Sequence, residues 1–109
     1  MTGKNLEIAV LCDIYSSLLP EKQRLAIEYY YDDDLSLAEI AELVGISRQG
    51  VRDQIKHAED KLYEYENALG LFKKSQKTED ILSKLSELSK ELNDSRLDSL
   101  LKELGDIQE

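Results

Sequence analysis

Apolar residues recur along this chain at three- and four-residue intervals, and no stretch alternates as a strand would. From Leu6 to Leu19, "LEIAVLCDIYSSLL" is apolar around most of a helical circumference, with Glu7, Asp13, Ser16 and Ser17 as the exceptions. A helix of that kind is buried on more than one side, which predicts a second packing partner, either the C-terminal helices or another subunit. In "LPEKQRLAIEYYYDDDLS", Pro20 suits a first helical turn, and Leu25, Ala26, Tyr29 and Tyr30 mark an inner face. At least two of Tyr29, Tyr30 and Tyr31 must face the core if this helix packs, so they are packing residues rather than a base-stacking platform. The carboxylates of Asp32, Asp33 and Asp34 repel one another where the helix dipole also disfavours negative charge, and so end the helix.

Ser36 and Glu39 form an S-x-x-E capping box, after which Ile40, Ala41 and Val44 face inward along a short helix. Gly45 can supply the positive φ of a sharp turn, and Ser47 caps the next helix. This is helix-turn-helix grammar. The helix capped by Ser47 carries Val51, Ile55, Ala58, Leu62, Tyr65, Leu69 and Phe72, a 3.5-residue seam that predicts one continuous helix from Ser47 to near Phe72, roughly 39 Å long. Its outer half needs a partner. Ile81, Leu85, Leu88 and Leu92 form a second stripe, and Leu97, Leu100, Leu101, Leu104 and Ile107 a third. With Asn93, Asp94 and Ser95 as turn and cap, residues 78–107 read as a helical hairpin, and Lys73 to Lys77 as the linker. The expected fold is all-α, in two parts: residues 1–72, a helix-turn-helix domain with an extended recognition helix, and residues 73–109, an acidic C-terminal helical hairpin. The seam beside an apolar first helix also favours a homodimer.

Charge changes the picture. The chain of 109 residues carries a net charge of −9, and its basic and acidic groups number three and seven over residues 1–35, four and five over 36–61, and seven and eleven over 62–109. Long-range steering repels a phosphate backbone, so nucleic-acid affinity has to come from a local patch. The candidate lies in the least acidic third. With Val51, Ile55, Ala58 and Leu62 facing inward, Arg48, Arg52 and Lys56 line one flank and Gln49, Asp53, Lys56 and Asp60 point outward. The basic flank suits phosphate or guanine, Gln49 suits adenine, and Ser47 with the first amides of the helix can position a phosphate. The competing reading makes this the solvated face of an amphipathic helix, with Asp53 pairing Gln49 or Lys56.

Other chemistry is sparse. His57 lacks a catalytic partner and reads as a surface residue, Cys12 reads as a small core residue, and Asp32 to Asp34 read as a helix stop rather than a magnesium site. Without a phosphate loop, a metal-ligand cluster or a nucleophile paired with a base, the expectation is a non-enzyme with no cofactor and no small-molecule substrate. A lone cysteine, no export signal and no membrane-length apolar run point to the cytoplasm, without membrane insertion.

From Leu19 onward the chain resembles region four of bacterial sigma factors, the promoter-reading domain, through Leu19, Pro20, Glu21, Gln23, Arg24, Ser36 to Ala41, Gly45-Ile46-Ser47, Val51, Ile55, Ala58, Lys61 and Leu62. That resemblance implies that residues 47–56 enter the major groove and that Arg48, Gln49, Arg52 and Lys56 make contacts. Gly50 and Asp53 depart from it, standing where a basic or polar reader would help. The chain also leaves no room for a sigma factor's core-polymerase and promoter-melting domains. As a whole, including "YYYDDDLSLAEIAELVGISRQGVRDQIKHAEDKL" and the acidic tail, it more closely resembles the YlxM family of small Gram-positive proteins. The resemblance implies a regulatory helix-turn-helix protein tied to the signal recognition particle pathway. Its partners would be DNA or RNA, or a protein of the particle or its receptor. An adaptor docking through its acidic helical surface is the alternative.

Overall fold

The structure, a computed structural model, describes residues 5–108, so residues 1–4 and 109 of the two expected parts lie outside it. Six α-helices occur in order: α1 (Leu6–Tyr15), α2 (Glu21–Tyr31), α3 (Leu37–Val44), α4 (Arg48–Leu69), α5 (Leu71–Leu92) and α6 (Ser95–Gln108), with a 3-10 turn at Ser16–Leu18. No strand occurs among the described residues. The chain is an all-α helix-turn-helix protein.

It divides into two compact units, one up to Gly70 and the other from Leu71. In the first, α1, α2 and α3 all pack on α4. Val51, Ile55, Ala58 and Leu62 of α4 are buried among Ile8, Leu11, Cys12 and Tyr15 of α1, Ala26, Ile27 and Tyr30 of α2, and Ile40 of α3. Tyr30 is buried, and Tyr29 and Tyr31 pack against the same core. The α2 helix stops at the aspartates, and Asp34 takes a positive φ of 54°, a conformation its short polar side chain tolerates.

Three sequence expectations need correction. The helix that starts at Ser47 ends at Leu69 rather than near Phe72, because Gly70 takes the left-handed conformation (φ 63°) and its amide closes on the Glu66 carbonyl at 2.8 Å. Leu71 then starts α5, so Lys73 to Lys77 are helical and not a linker. The first helix, expected to be buried on more than one side, is covered on one: Ile8, Leu11, Cys12 and Tyr15 are buried, while Leu6 and Val10 stay exposed.

The seam of α4 closes within the chain as far as Tyr65. Tyr65 stacks at a tilt on Tyr15, ring centroids 5.9 Å apart, and donates its hydroxyl to the Leu18 carbonyl at 3.1 Å. Tyr15 in turn donates to Glu66 at 2.8 Å. Of the apolar stripe on α4, only Leu69 at its end is left exposed.

In the second unit α5 and α6 pack against each other. Asn93 takes a positive φ of 51° in the turn, and Asp94 accepts the Arg96 amide at 2.9 Å to start α6. The Ser89 hydroxyl, fully buried, donates to Asp98 across the pair.

Candidate nucleic-acid interface

The reading element is built by two caps and a turn. Ser36 accepts the Glu39 amide at 3.1 Å while the Glu39 carboxylate accepts the Ser36 amide at 3.2 Å, so two helix-end donors are satisfied reciprocally. Gly45 ends α3 at φ 75°, with its amide on the Ala41 carbonyl at 2.9 Å. Ser47 then accepts the Gly50 amide at 2.9 Å and opens α4. Gly50 lies under this cap rather than on the outer face: a Cβ there would stand 3.2 Å from Ser47 Oγ and 3.3 Å from Ile46 Cδ1. Its missing side chain is thus part of the turn's packing, not a lost reader.

Ser47, Arg48, Gln49, Arg52 and Lys56 are all exposed. An open groove of about 590 Å³ brings Arg48, Gln49 and Arg52 together with Tyr30, Ser36 and Leu37. Arg52 also borders a neighbouring depression of about 370 Å³ that includes Lys56, Tyr31 and Glu59. Arg52 is therefore the pivot of the surface, with one reader pair on one side and Lys56 on the other. Sequence reasoning missed the acidic members of these walls, Asp34 and Glu39 beside the arginines and Glu59 beside Lys56. Glu39 was legible as a cap, but only the tertiary fold shows that the start of α3 abuts the start of α4.

Two of the five residues are held by acidic neighbours. Gln49 donates to Asp53 at 3.1 Å and Lys56 pairs with Asp60 at 3.2 Å, each one turn further along α4. Arg48 and Arg52 make no ion pair among the described residues. The first turn of α4 contains no acidic side chain of its own, although Asp34 and Glu39 stand in the groove wall beside it, and of its amides the Gly50 N–H is already taken by Ser47. The surface can offer an anion two guanidinium groups, the Ser47 hydroxyl proton and the amide end of a helix.

Among the described residues no cluster of histidine, cysteine and carboxylate side chains could hold a metal ion, and no helix is long and apolar enough to cross a membrane. His57 is exposed and Cys12 is buried. Burial, then the charges of Asp32, Glu28 and Asp13, push the Cys12 thiol up to about 12, which makes it a poor nucleophile.

Comparison with known proteins places this geometry in context. Residues 2–104 match the profile of a family described as "Putative helix-turn-helix protein, YlxM / p13 like", UPF0122. A UPF0122 protein of Clostridium botulinum (strain Alaska E43 / Type E3) is 50% identical over 97 residues, covering 88% of this chain and 89% of the relative. One from Halalkalibacterium halodurans is 44% identical over 109 residues, covering 99% of this chain and all of the relative. A third, from Caldanaerobacter subterraneus, is 49% identical over 82 residues, or 75% and 70% of the two chains.

Proposed function

The chain belongs to the YlxM / p13-like helix-turn-helix family, and on that premise we propose that it is a regulatory protein that binds nucleic acid through α4. Arg48 and Arg52 engage phosphate or base edges, Gln49 and Lys56 extend the contact, and Ser47 with the first-turn amides receives a phosphate. The observation that carries this reading is the pair of exposed, unengaged guanidinium groups at the start of a capped α4, bordering one open groove. The resemblance to sigma region four and the part in the signal recognition particle pathway that the family resemblance implies suggest two targets to try, duplex DNA and a structured particle RNA. Gln49 and Lys56 join the contact only by leaving Asp53 and Asp60, which makes the surface a weak binder until a target compensates both acids.

The test is fluorescence anisotropy with mixed-sequence duplex DNA and with the structured RNA, titrated with salt, for the full chain and for a variant with Arg48, Arg52 and Lys56 all changed to Ala. The log–log salt slope is expected to shrink by roughly 2–3 in the variant, at about 0.9 per lost duplex phosphate contact and less for RNA. Equal slopes for the two proteins, or no binding at low salt, would reject the reading.

A second reading, a protein-interaction adaptor, is favoured by the same acids. Asp53 and Asp60 stand beside the basic flank, and residues 62–109 carry eleven acidic groups against seven basic. The acidic surface would dock on a basic protein of the signal recognition particle or its receptor. Binding of such a protein by the full chain, abolished when Glu79, Asp80 and Glu87 are changed to their amides, would support it; indifference to those changes would count against it.

A further inference from the structure

The hairpin of α5 and α6 buries almost nothing by itself. Among its described residues only Ser89 and Leu101 are buried, and Ile81, Leu88, Leu92, Leu100, Leu104 and Ile107 are between 46% and 75% exposed. A helix pair with so small a core is not a stable unit in water without a further partner.

The exposed side chains are not scattered. At 100° per residue, Ile81, Leu88 and Leu92 lie together on α5, about a quarter-turn from the face that Leu82, Leu85 and Ser89 turn toward α6. Leu100, Leu104 and Ile107 lie about a quarter-turn from Leu97 and Leu101 on α6. Both offsets run in the same rotational sense along their own helices. Because the helices are antiparallel, equal senses bring both rows to one side of the hairpin. The result is a single apolar face two helices wide.

We propose that this face is the interface of a homodimer, in which two hairpins pack face to face as a four-helix bundle about a two-fold axis parallel to the helices. The footprint supports that occupant. Fourteen residues of α6 give a length of about 21 Å, and two helices side by side a width of about 20 Å. Enlarged by side-chain relief, this approaches the ~600 Å² per partner at the lower end of stable interfaces.

The rim charges support the same arrangement. The hydrogen bond from Ser89 to Asp98 sets the register of the pair. Counting five residues back from Ser89 and five on from Asp98 puts Lys84 level with Glu103; counting two the other way puts Glu91 level with Arg96. Lys84 and Glu91 lie on the outer edge of α5, and Arg96 and Glu103 on the outer edge of α6. Within one hairpin these edges are far apart. The two-fold axis stacks α5 of one protomer on α6 of its partner, so each Lys84 meets a Glu103 and each Glu91 an Arg96 across the rim. Arg96, which pairs with Asp94 at 3.2 Å and is 89% exposed at its side chain, has donors to spare for a second carboxylate. The surface is thus complementary to itself, as an isologous interface must be.

The test is sedimentation equilibrium of the full chain at low ionic strength, with Lys84→Glu and Glu103→Lys variants measured separately and mixed. A concentration-dependent dimer is expected, with the dissociation constant raised about tenfold or more in each variant alone, where like charges face each other on both rims. An equimolar mixture is expected to recover the original affinity, because both rims of the heterodimer then carry opposite charges. A Leu88→Asp variant should be monomeric while its tyrosine circular dichroism is unchanged, since all six tyrosines lie in the first unit. A chain monomeric at every concentration, a dimer insensitive to these changes, or a mixture no tighter than its components would overturn the proposal.

Discussion

Gln49 donates its side-chain amide to Asp53 at 3.1 Å, one turn along the same helix and on the outward face of α4. The acid both occupies the group best suited to read adenine and places a negative charge where a nucleic-acid phosphate would approach. An exposed charge at contact distance is worth on the order of 1 kcal/mol in water. Changing Asp53→Asn should therefore raise affinity for duplex DNA or particle RNA by about fivefold at low salt. Glu64→Gln, about 16 Å further along the helix and beyond a Debye length at 0.1 M salt, is the control. Equal gains from both variants would mean that net charge, not this pair, limits binding.

Tyr31 makes stability depend on pH. Its phenol donates to Glu59 at 3.0 Å, and burial first, then that hydrogen bond, push it up to about 12. An unfolded tyrosine titrates near 10. Between about pH 10 and 12 the folded chain keeps a proton that the unfolded chain has lost, so this contribution is complete below pH 10 and disappears as the pH rises toward 12. Urea midpoints at pH 8 and pH 11 should fall further for the natural chain than for Tyr31→Phe. An identical fall in both would remove Tyr31 as the cause.

Cys12 should be silent to thiol reagents in the native state. It is 1% exposed and its thiol is pushed up to about 12 by burial and by Asp32, Glu28 and Asp13, so almost no thiolate is present near neutrality. Labelling with a chromogenic disulfide at pH 8 is expected to be slow and to accelerate with urea, tracking opening of the α1 contact with α4. Rapid stoichiometric labelling in native buffer would show that α1 does not stay docked.

The capping box at Ser36, the left-handed Gly45, the Ser47 cap and the buried row Val51, Ile55, Ala58 and Leu62 were all legible in the sequence, because each rests on local chemistry or on period alone. The partner of that row was not. Helical spacing says which side of α4 is buried, but the Tyr15 to Glu66 and Tyr65 to Leu18 hydrogen bonds span 51 and 47 residues, and no local pattern encodes them. The same limit hid the acidic walls of the groove beside Arg48 and Arg52, where Asp34 and Glu39 belong to a segment earlier in the chain. Gly50 was misjudged for a related reason, since its helix angle alone does not reveal the Ser47 and Ile46 atoms packed against it.

The break at Gly70 went unread because the apolar period continues through it, from Leu69 to Phe72. The pattern favours continuing the helix, and the glycine stops it by entering the left-handed region at φ 63°. A Cβ at Gly70 would meet nothing within 4 Å, so any cost of adding one is backbone strain alone. That strain is roughly 1–2 kcal/mol for an ordinary L-residue and less for asparagine, whose side chain tolerates this conformation. Gly70→Ala should accordingly lower stability by about 1 kcal/mol in urea unfolding monitored by tyrosine fluorescence, and Gly70→Asn by a smaller amount. If the alanine variant instead matches or exceeds the natural chain, the gain in helix propensity outweighs the strain, and the continuous helix implied by the 3.5-residue seam is the conformation this segment prefers.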